Sequence, residues 1–104
     1  MNLDEYKAEI KRLTELPNTY NEQMALGRKF ALDNNKVNVG DIVSSSYAHL
    51  KVEKIIVNLS SNVPFCIYSG IRYTKKGTPY KDGSRIGIPS YGVTRILPGY
   101  IDEY

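Results

Sequence analysis

The chain of 104 residues contains a single cysteine, a single histidine and no tryptophan. Cys66 therefore cannot form an internal disulfide, and one cysteine with one histidine is too few for a structural zinc site. The acidic residues form no cluster of the kind that holds a hard cation, so we expect neither a metal nor a cofactor. Because Cys66 stands between Phe65 and Ile67 in a strand-like run, we expect a buried, inert thiol.

The sequence also lacks a leader-like start and a long apolar run. Residues 1–5 are polar and acidic, where a secretory signal needs a basic segment followed by an apolar one. The longest fairly apolar run, residues 55–59, falls far short of the roughly 18 to 20 residues that span a bilayer. We therefore expect a cytoplasmic protein with no membrane contact.

Residues that carry catalysis are as scarce as metal ligands. His49 and Cys66 form the one conventional base and nucleophile pair, and nothing in the sequence places them together. Asp41 is better explained as a turn residue than as the acid or base partner of Glu53. Residues 75–79 (Lys-Lys-Gly-Thr-Pro) lack the spacing of two glycines before Lys and Ser or Thr that a phosphate-binding P-loop needs. We expect a binding protein and no enzyme.

The first third of the chain has helical periodicity. Apolar residues recur three or four positions apart, which places them on one side of a helix; they are Leu3, Tyr6, Ile10 and Leu13. Asn2 and Glu5 have the spacing of a capping pair, and Pro17 ends the helix. Thr19 and Glu22 predict a second capping box that opens a helix over residues 20–33. The short connection between them predicts an antiparallel helical hairpin over residues 1–35.

From Val37 onward the apolar period changes to two, and turn residues recur every eight to twelve positions. This pattern predicts five strands joined by polar turns. The glycine at position 40 indicates a bulge or sharp bend inside the first of them. The predicted strands cover residues 37–43, 50–57, 65–73, 85–88 and 92–97.

Residues 39–43, Val-Gly-Asp-Ile-Val, resemble the entry strand of SH3-like small barrels of the KOW and Tudor kind. The resemblance implies a five-stranded barrel over residues 36–98, and many such barrels bind nucleic acid or peptides. The expected fold is therefore α+β: a helical hairpin followed by an SH3-like small β-barrel or a strongly bent antiparallel sheet. We expect one domain, 1–104, that ends in an acidic tail over residues 99–104.

Positive charge is concentrated late in the chain. Residues 1–36 carry six basic and six acidic side chains, whereas residues 71–95 carry six basic ones against Asp82 alone. Tyrosines are interleaved with these cations, so ring faces for stacking lie beside charges that can neutralise phosphates. Lysines that solvate a loop and tyrosines that pack on a strand would give the same pattern. The candidate ligand-binding residues are Arg72, Tyr73, Lys75, Lys76, Tyr80, Lys81, Arg85, Tyr91 and Arg95.

Two functions are compatible with this sequence. The first is a non-enzymatic binding module whose basic, tyrosine-bearing hairpin contacts an anionic partner: RNA, DNA or a nucleotide. The alternative is a small protein-interaction module, an adaptor or an inhibitor, and frequent Asn, Lys, Ile and Tyr would suit an AT-rich phage or mobile element. Most acidic tails of this kind fray; the alternative is that Asp102 and Glu103 fold back over the basic hairpin and mask it until a partner displaces them.

Overall fold

The structure is a computed structural model that describes residues 1–97. Two helices precede a five-stranded antiparallel sheet, which confirms the α+β prediction. Contacts group the described chain into two compact units: Met1–Asn35 with Val57–Phe65, and Lys36–Ile56 with the residues from Cys66 onward. The prediction of a single domain that contains both units is not tested. The acidic tail, with its proposed masking role, lies outside the described residues.

The first unit contains the predicted helical hairpin. Helix α1 spans Leu3–Thr14, and helix α2 spans Tyr20–Asp33. The rings of Tyr6 and Phe30 stack with their centroids 4.7 Å apart, and the amino group of Met1 pairs with Asp33 at 3.1 Å. The start of α1 therefore lies beside the end of α2, as an antiparallel pair requires.

The two predicted caps have different outcomes. At α1 the Asn2 side chain accepts from the Glu5 amide at 2.8 Å, and the Glu5 carboxylate accepts from the Asn2 amide. At α2 the Thr19 side chain makes no capping bond, so the predicted capping box with Glu22 is wrong. The Thr19 hydroxyl instead donates to the Leu13 carbonyl at 2.6 Å. The short connection brings Thr19 to the end of α1, where the Leu13 carbonyl accepts from the Leu16 amide at 3.1 Å but has no amide donor four residues on, because residue 17 is a proline.

The sheet is built from five strands in the order β4-β3-β2-β1-β5. Strands β1 to β4 follow one another, and β5 returns to pair with β1 on the side opposite β2. Closure of this sheet into a barrel stays a prediction. No helix within residues 1–97 is long and apolar enough to cross a membrane. The strands are β1 Ile42–Ser44, β2 His49–Asn58, β3 Phe65–Tyr73, β4 Arg85–Pro89 and β5 Arg95–Leu97.

The first predicted strand is shorter in the structure because the residues before Ile42 form a turn. Gly40 has φ +97°, a conformation that favours glycine. The Gly40 amide donates to the Val52 carbonyl and the Val52 amide donates to the Asp41 carbonyl, both at 2.8 Å. The Asp41 carboxylate also accepts from the Asn38 amide at 2.9 Å. The turn is thus fastened to β2 and sets the register in which β1 begins.

The last predicted strand is also shorter, because a 3-10 turn over Ser90–Gly92 precedes β5. The Thr94 amide donates to the Ser44 carbonyl at 2.7 Å, and pairing with β1 continues from Arg95.

The second unit buries the apolar side of this sheet, including Cys66, whose predicted burial is confirmed. The most completely buried large side chains are Leu50, Ile88, Val43, Val52 and Cys66.

Candidate anion-binding site

The basic hairpin between β3 and β4 is held by backbone hydrogen bonds at its base. The Arg72 amide donates to the Ser84 carbonyl at 2.8 Å, and the Tyr80 amide donates to the Arg72 carbonyl at 3.0 Å. The Asp82 carboxylate accepts from the amide and hydroxyl of Ser84, and these bonds lower the pKa of Asp82. Its single carboxylate is therefore used to shape the loop.

A second turn at the tip of the hairpin carries two adjacent lysines. The Thr74 amide donates to the Thr78 carbonyl at 2.7 Å, and the hydroxyls of the two threonines lie 2.9 Å apart. Gly77 closes the turn with φ +84°. Lys75 and Lys76 are both exposed, and of the two, Lys75 alone lines the two cavities described next.

Two adjacent cavities lie in the second unit, and residues of the basic hairpin line both of them. They have volumes of about 250 and about 190 Å³ and share four wall residues: Ser45, His49, Tyr73 and Lys75. The first cavity is also lined by Ser44, Thr94 and Arg95. The second is also lined by Tyr47, Arg72 and Tyr80. We call the two cavities together the basic groove.

Strand pairing positions a histidine and a serine in the wall of the first cavity. Ser44 and His49 are opposite each other in the β1–β2 pair, and Ser44 Oγ lies 2.6 Å from His49 Nδ1. The other ring nitrogen, Nε2, has no hydrogen-bond partner within residues 1–97. The Thr94 hydroxyl donates to the Ser44 carbonyl at 3.2 Å, which fixes the start of β5 beside the same pair.

A tight turn presents a tyrosine at the second cavity. The Ser45 amide donates to the Ala48 carbonyl at 2.8 Å, and the Ser45 hydroxyl accepts from the amides of Tyr47 and Ala48. The hydroxyl of Ser45 is therefore occupied in shaping the turn. Tyr47, at its tip, remains 69% exposed although it lines the cavity.

Arg72 occupies the other side of the second cavity. Its guanidinium carbon lies 4.6 Å from the centre of the Tyr80 ring, a cation–π distance. Arg72 Nε is buried and has no hydrogen-bond partner among the described residues. A buried N–H donor without an acceptor costs free energy. No acceptor among the described residues offsets that cost for Arg72 Nε.

The basic groove carries an excess of positive charge. No Asp or Glu is found among the described residues that line either cavity. Lys75 and Arg95 form no ion pair within residues 1–97, whereas Arg85 pairs with Glu53. Asp82, which lines neither cavity, interacts electrostatically with Arg72, and Lys75 and Arg95 are left to attract anions to the groove.

The structure brings five of the nine predicted site residues together in the basic groove: Arg72, Tyr73, Lys75, Tyr80 and Arg95. Lys76, Lys81, Arg85 and Tyr91 line neither cavity. Sequence reasoning missed the wall residues contributed by the β1–β2 turn and by the approach to β5. Pairing Ser44 with His49 across a predicted turn would have pointed to some of them. The missed residues are Ser44, Ser45, Tyr47, His49 and Thr94.

Comparison of the chain with protein-family models, curated proteins and solved structures returned no match. Within residues 1–97, no three His, Cys, Asp or Glu side chains are grouped so that they could hold a metal ion. Function must therefore be inferred from the chemistry of the basic groove.

Proposed function

We propose that the second unit is a non-enzymatic binding module for a phosphate-bearing ligand of nucleic-acid chemistry, either a nucleotide or a nucleic acid. The observation that carries this proposal is the convergence of Arg72, Lys75 and Arg95 on one groove whose described wall contains no carboxylate. Cationic side chains supply most of the affinity for phosphates. Such ligands are abundant in the cytoplasm, where we expect the protein to act.

Tyrosine side chains favour a nucleic-acid ligand over a simple inorganic anion. Tyr47, Tyr73 and Tyr80 all line the second cavity, and bases stack on aromatic rings regardless of their sequence. An inorganic anion would gain nothing from three rings. A ligand that combines a flat heterocycle with a phosphate uses both parts of the groove.

A charge-reversal pair tests the proposal. The double variant Lys75→Glu, Arg95→Glu places two carboxylates in the groove, and we expect it to abolish binding of single-stranded RNA, duplex DNA and nucleoside triphosphates. The matched control is Lys76→Glu, Lys81→Glu, which makes the same change in net charge outside the groove. Fluorescence anisotropy and calorimetry at two salt concentrations would measure both variants.

Equal losses in both double variants would show that the hairpin attracts anions only through its overall charge, and the groove would not be the site. Wild-type protein that binds none of these ligands at low salt, where attraction is least screened, would remove the proposal. The protein-interaction module would then be the better explanation of the chain.

A further inference from the structure

The cations of the basic hairpin are divided in a way that limits how many phosphates the protein can engage. Of the six basic residues between positions 71 and 95, three line the groove: Arg72, Lys75 and Arg95. The charge of Arg85 is neutralised by Glu53. A long strand bound along its backbone needs cations spaced along its path, and three convergent cations suit one or two phosphates.

The first cavity has the chemistry of a phosphate subsite. Lys75 and Arg95 supply charge without competing carboxylates, and His49 Nε2 has no partner within residues 1–97. Ser44 fixes the imidazole through Nδ1 at 2.6 Å, so the ring is held in one orientation. Groups that are held before the ligand arrives lose little entropy on binding.

The second cavity has the chemistry of a stacking subsite. Its three tyrosines come from separate segments, and Arg72 is held on the face of Tyr80 at 4.6 Å. Tyr73 and His49 line both cavities, so the two subsites are adjacent. Each cavity, at about 250 and about 190 Å³, is smaller than a typical ligand pocket of roughly 300 to 1,000 Å³. Each therefore suits one part of a ligand.

We infer that the ligand of the basic groove is a single nucleotide unit, free or at the end of a strand, with its phosphate in the first cavity and its base in the second. This inference rests on the proposed function and adds the size and the orientation of the ligand. It requires one nucleotide per protein chain and an affinity that further nucleotides do not raise.

A length series tests the ligand size. Calorimetry of the full-length protein would compare a nucleoside, inorganic phosphate, a nucleoside 5′-monophosphate, a 5′-phosphorylated dinucleotide and a single strand of about 20 nucleotides, long enough to reveal backbone binding. We expect 1:1 binding of the monophosphate, clearly weaker binding of the nucleoside and of phosphate alone, and similar affinities for the two longer probes. With one phosphate engaged, log K for the single strand should fall with log salt at a slope of about −0.7.

Two matched pairs of variants test the orientation. Tyr47→Ala should lower the affinity for the nucleoside monophosphate by roughly 5- to 150-fold if the base stacks on this ring. It should leave the affinity for inorganic phosphate unchanged. Tyr91→Ala, at a similarly exposed tyrosine outside the groove, should change neither. Lys75→Ala should lower the affinity for both the nucleoside monophosphate and inorganic phosphate. Lys76→Ala, one residue away, should lower neither affinity.

A strand of about 20 nucleotides that binds some 100-fold more tightly than the monophosphate, with a slope near −4 for six neutralised phosphates, would overturn the inference and leave the proposed function intact. Nucleotide binding that Tyr47→Ala and Tyr91→Ala affect equally would overturn the orientation. Failure of every probe to bind would remove the proposed function and the inference together.

Discussion

Gly70 lies within β3, opposite Ile86 of β4. A Cβ at this position would overlap the backbone carbonyl of Lys51, and a paired backbone cannot move aside as a flexible side chain can. We expect Gly70→Ala to lower the free energy of unfolding by about 3 kcal/mol or more, at the upper end of overpacking costs. Urea unfolding monitored by circular dichroism would measure the change.

The matched control is Gly87, which lies in β4 opposite Ser69. A Cβ there would meet the Ile67 side chain at 3.4 Å, an ordinary contact. Gly87→Ala should therefore change the free energy of unfolding by less than about 1 kcal/mol. Similar costs at both glycines would show that the close approach to Lys51 does not constrain β3.

Burial of Cys66 leads to a prediction about its reactivity. The side chain is 2% exposed, and burial raises the pKa of its thiol. Because the thiolate is the reactive form, a thiol reagent at pH 8 should modify the native protein far more slowly than the urea-unfolded protein. Rapid native modification, at the rate found in urea, would show that the thiol is accessible after all.

At single positions, sequence reasoning succeeded where the neighbours determine the environment. Cys66 was predictable because apolar residues flank it in a strand. Which cations line the groove was not predictable, because Lys75 and Lys76 are adjacent in the sequence and only Lys75 lines it. Which of them does so depends on how the closed turn at Gly77 orients the tip of the hairpin.

Among the helices and strands, the start of α1 offers a direct test of a local signal. The Asn2 side chain accepts from the Glu5 amide at 2.8 Å within a complete capping box. Asn2→Ala removes the acceptor and should cost about 1 kcal/mol of stability. Asn21→Ala is the control, since Asn21 is an exposed residue in the first turn of α2, where alanine is the better helix former. Thermal unfolding in which Asn21→Ala is the more damaging change would contradict the capping assignment.

The bounds of the helices and strands show which signals are local. The periodic pattern predicted α2 and β3 with the bounds that the structure has, Tyr20–Asp33 and Phe65–Tyr73. The predicted cap at Thr19 failed because its hydroxyl serves α1, which the sequence of α2 alone does not reveal. The predicted starts of β1 and β5 were too early for a similar reason. A strand begins where its partner begins, and those partners are distant in the sequence.

For the molecule as a whole, the two chain segments that make up the first unit predict that the helices are needed for stability. Val57–Phe65 groups with Met1–Asn35, and Leu59 Cδ2 lies only 2.8 Å from where a Cβ on Gly27 would be. Deleting residues 1–35 would uncover Leu59 and Pro64, and we expect a lower Tm and a tendency to aggregate. A truncated chain with an unchanged Tm in calorimetry would show that the helices are an independent appendage.

The basic groove depends on a pairing that spans most of the second unit. The Thr94 hydroxyl and amide both donate to the Ser44 carbonyl, fifty positions earlier in the chain. Closing so long a loop is slow relative to local folding. A ribosome that has made the basic hairpin has therefore not yet made the first cavity, because Arg95 and the strand that pairs with β1 are translated later. A nascent chain would carry the positive charge of the hairpin first, and a ligand of the kind proposed above would bind only after β5 had paired with β1.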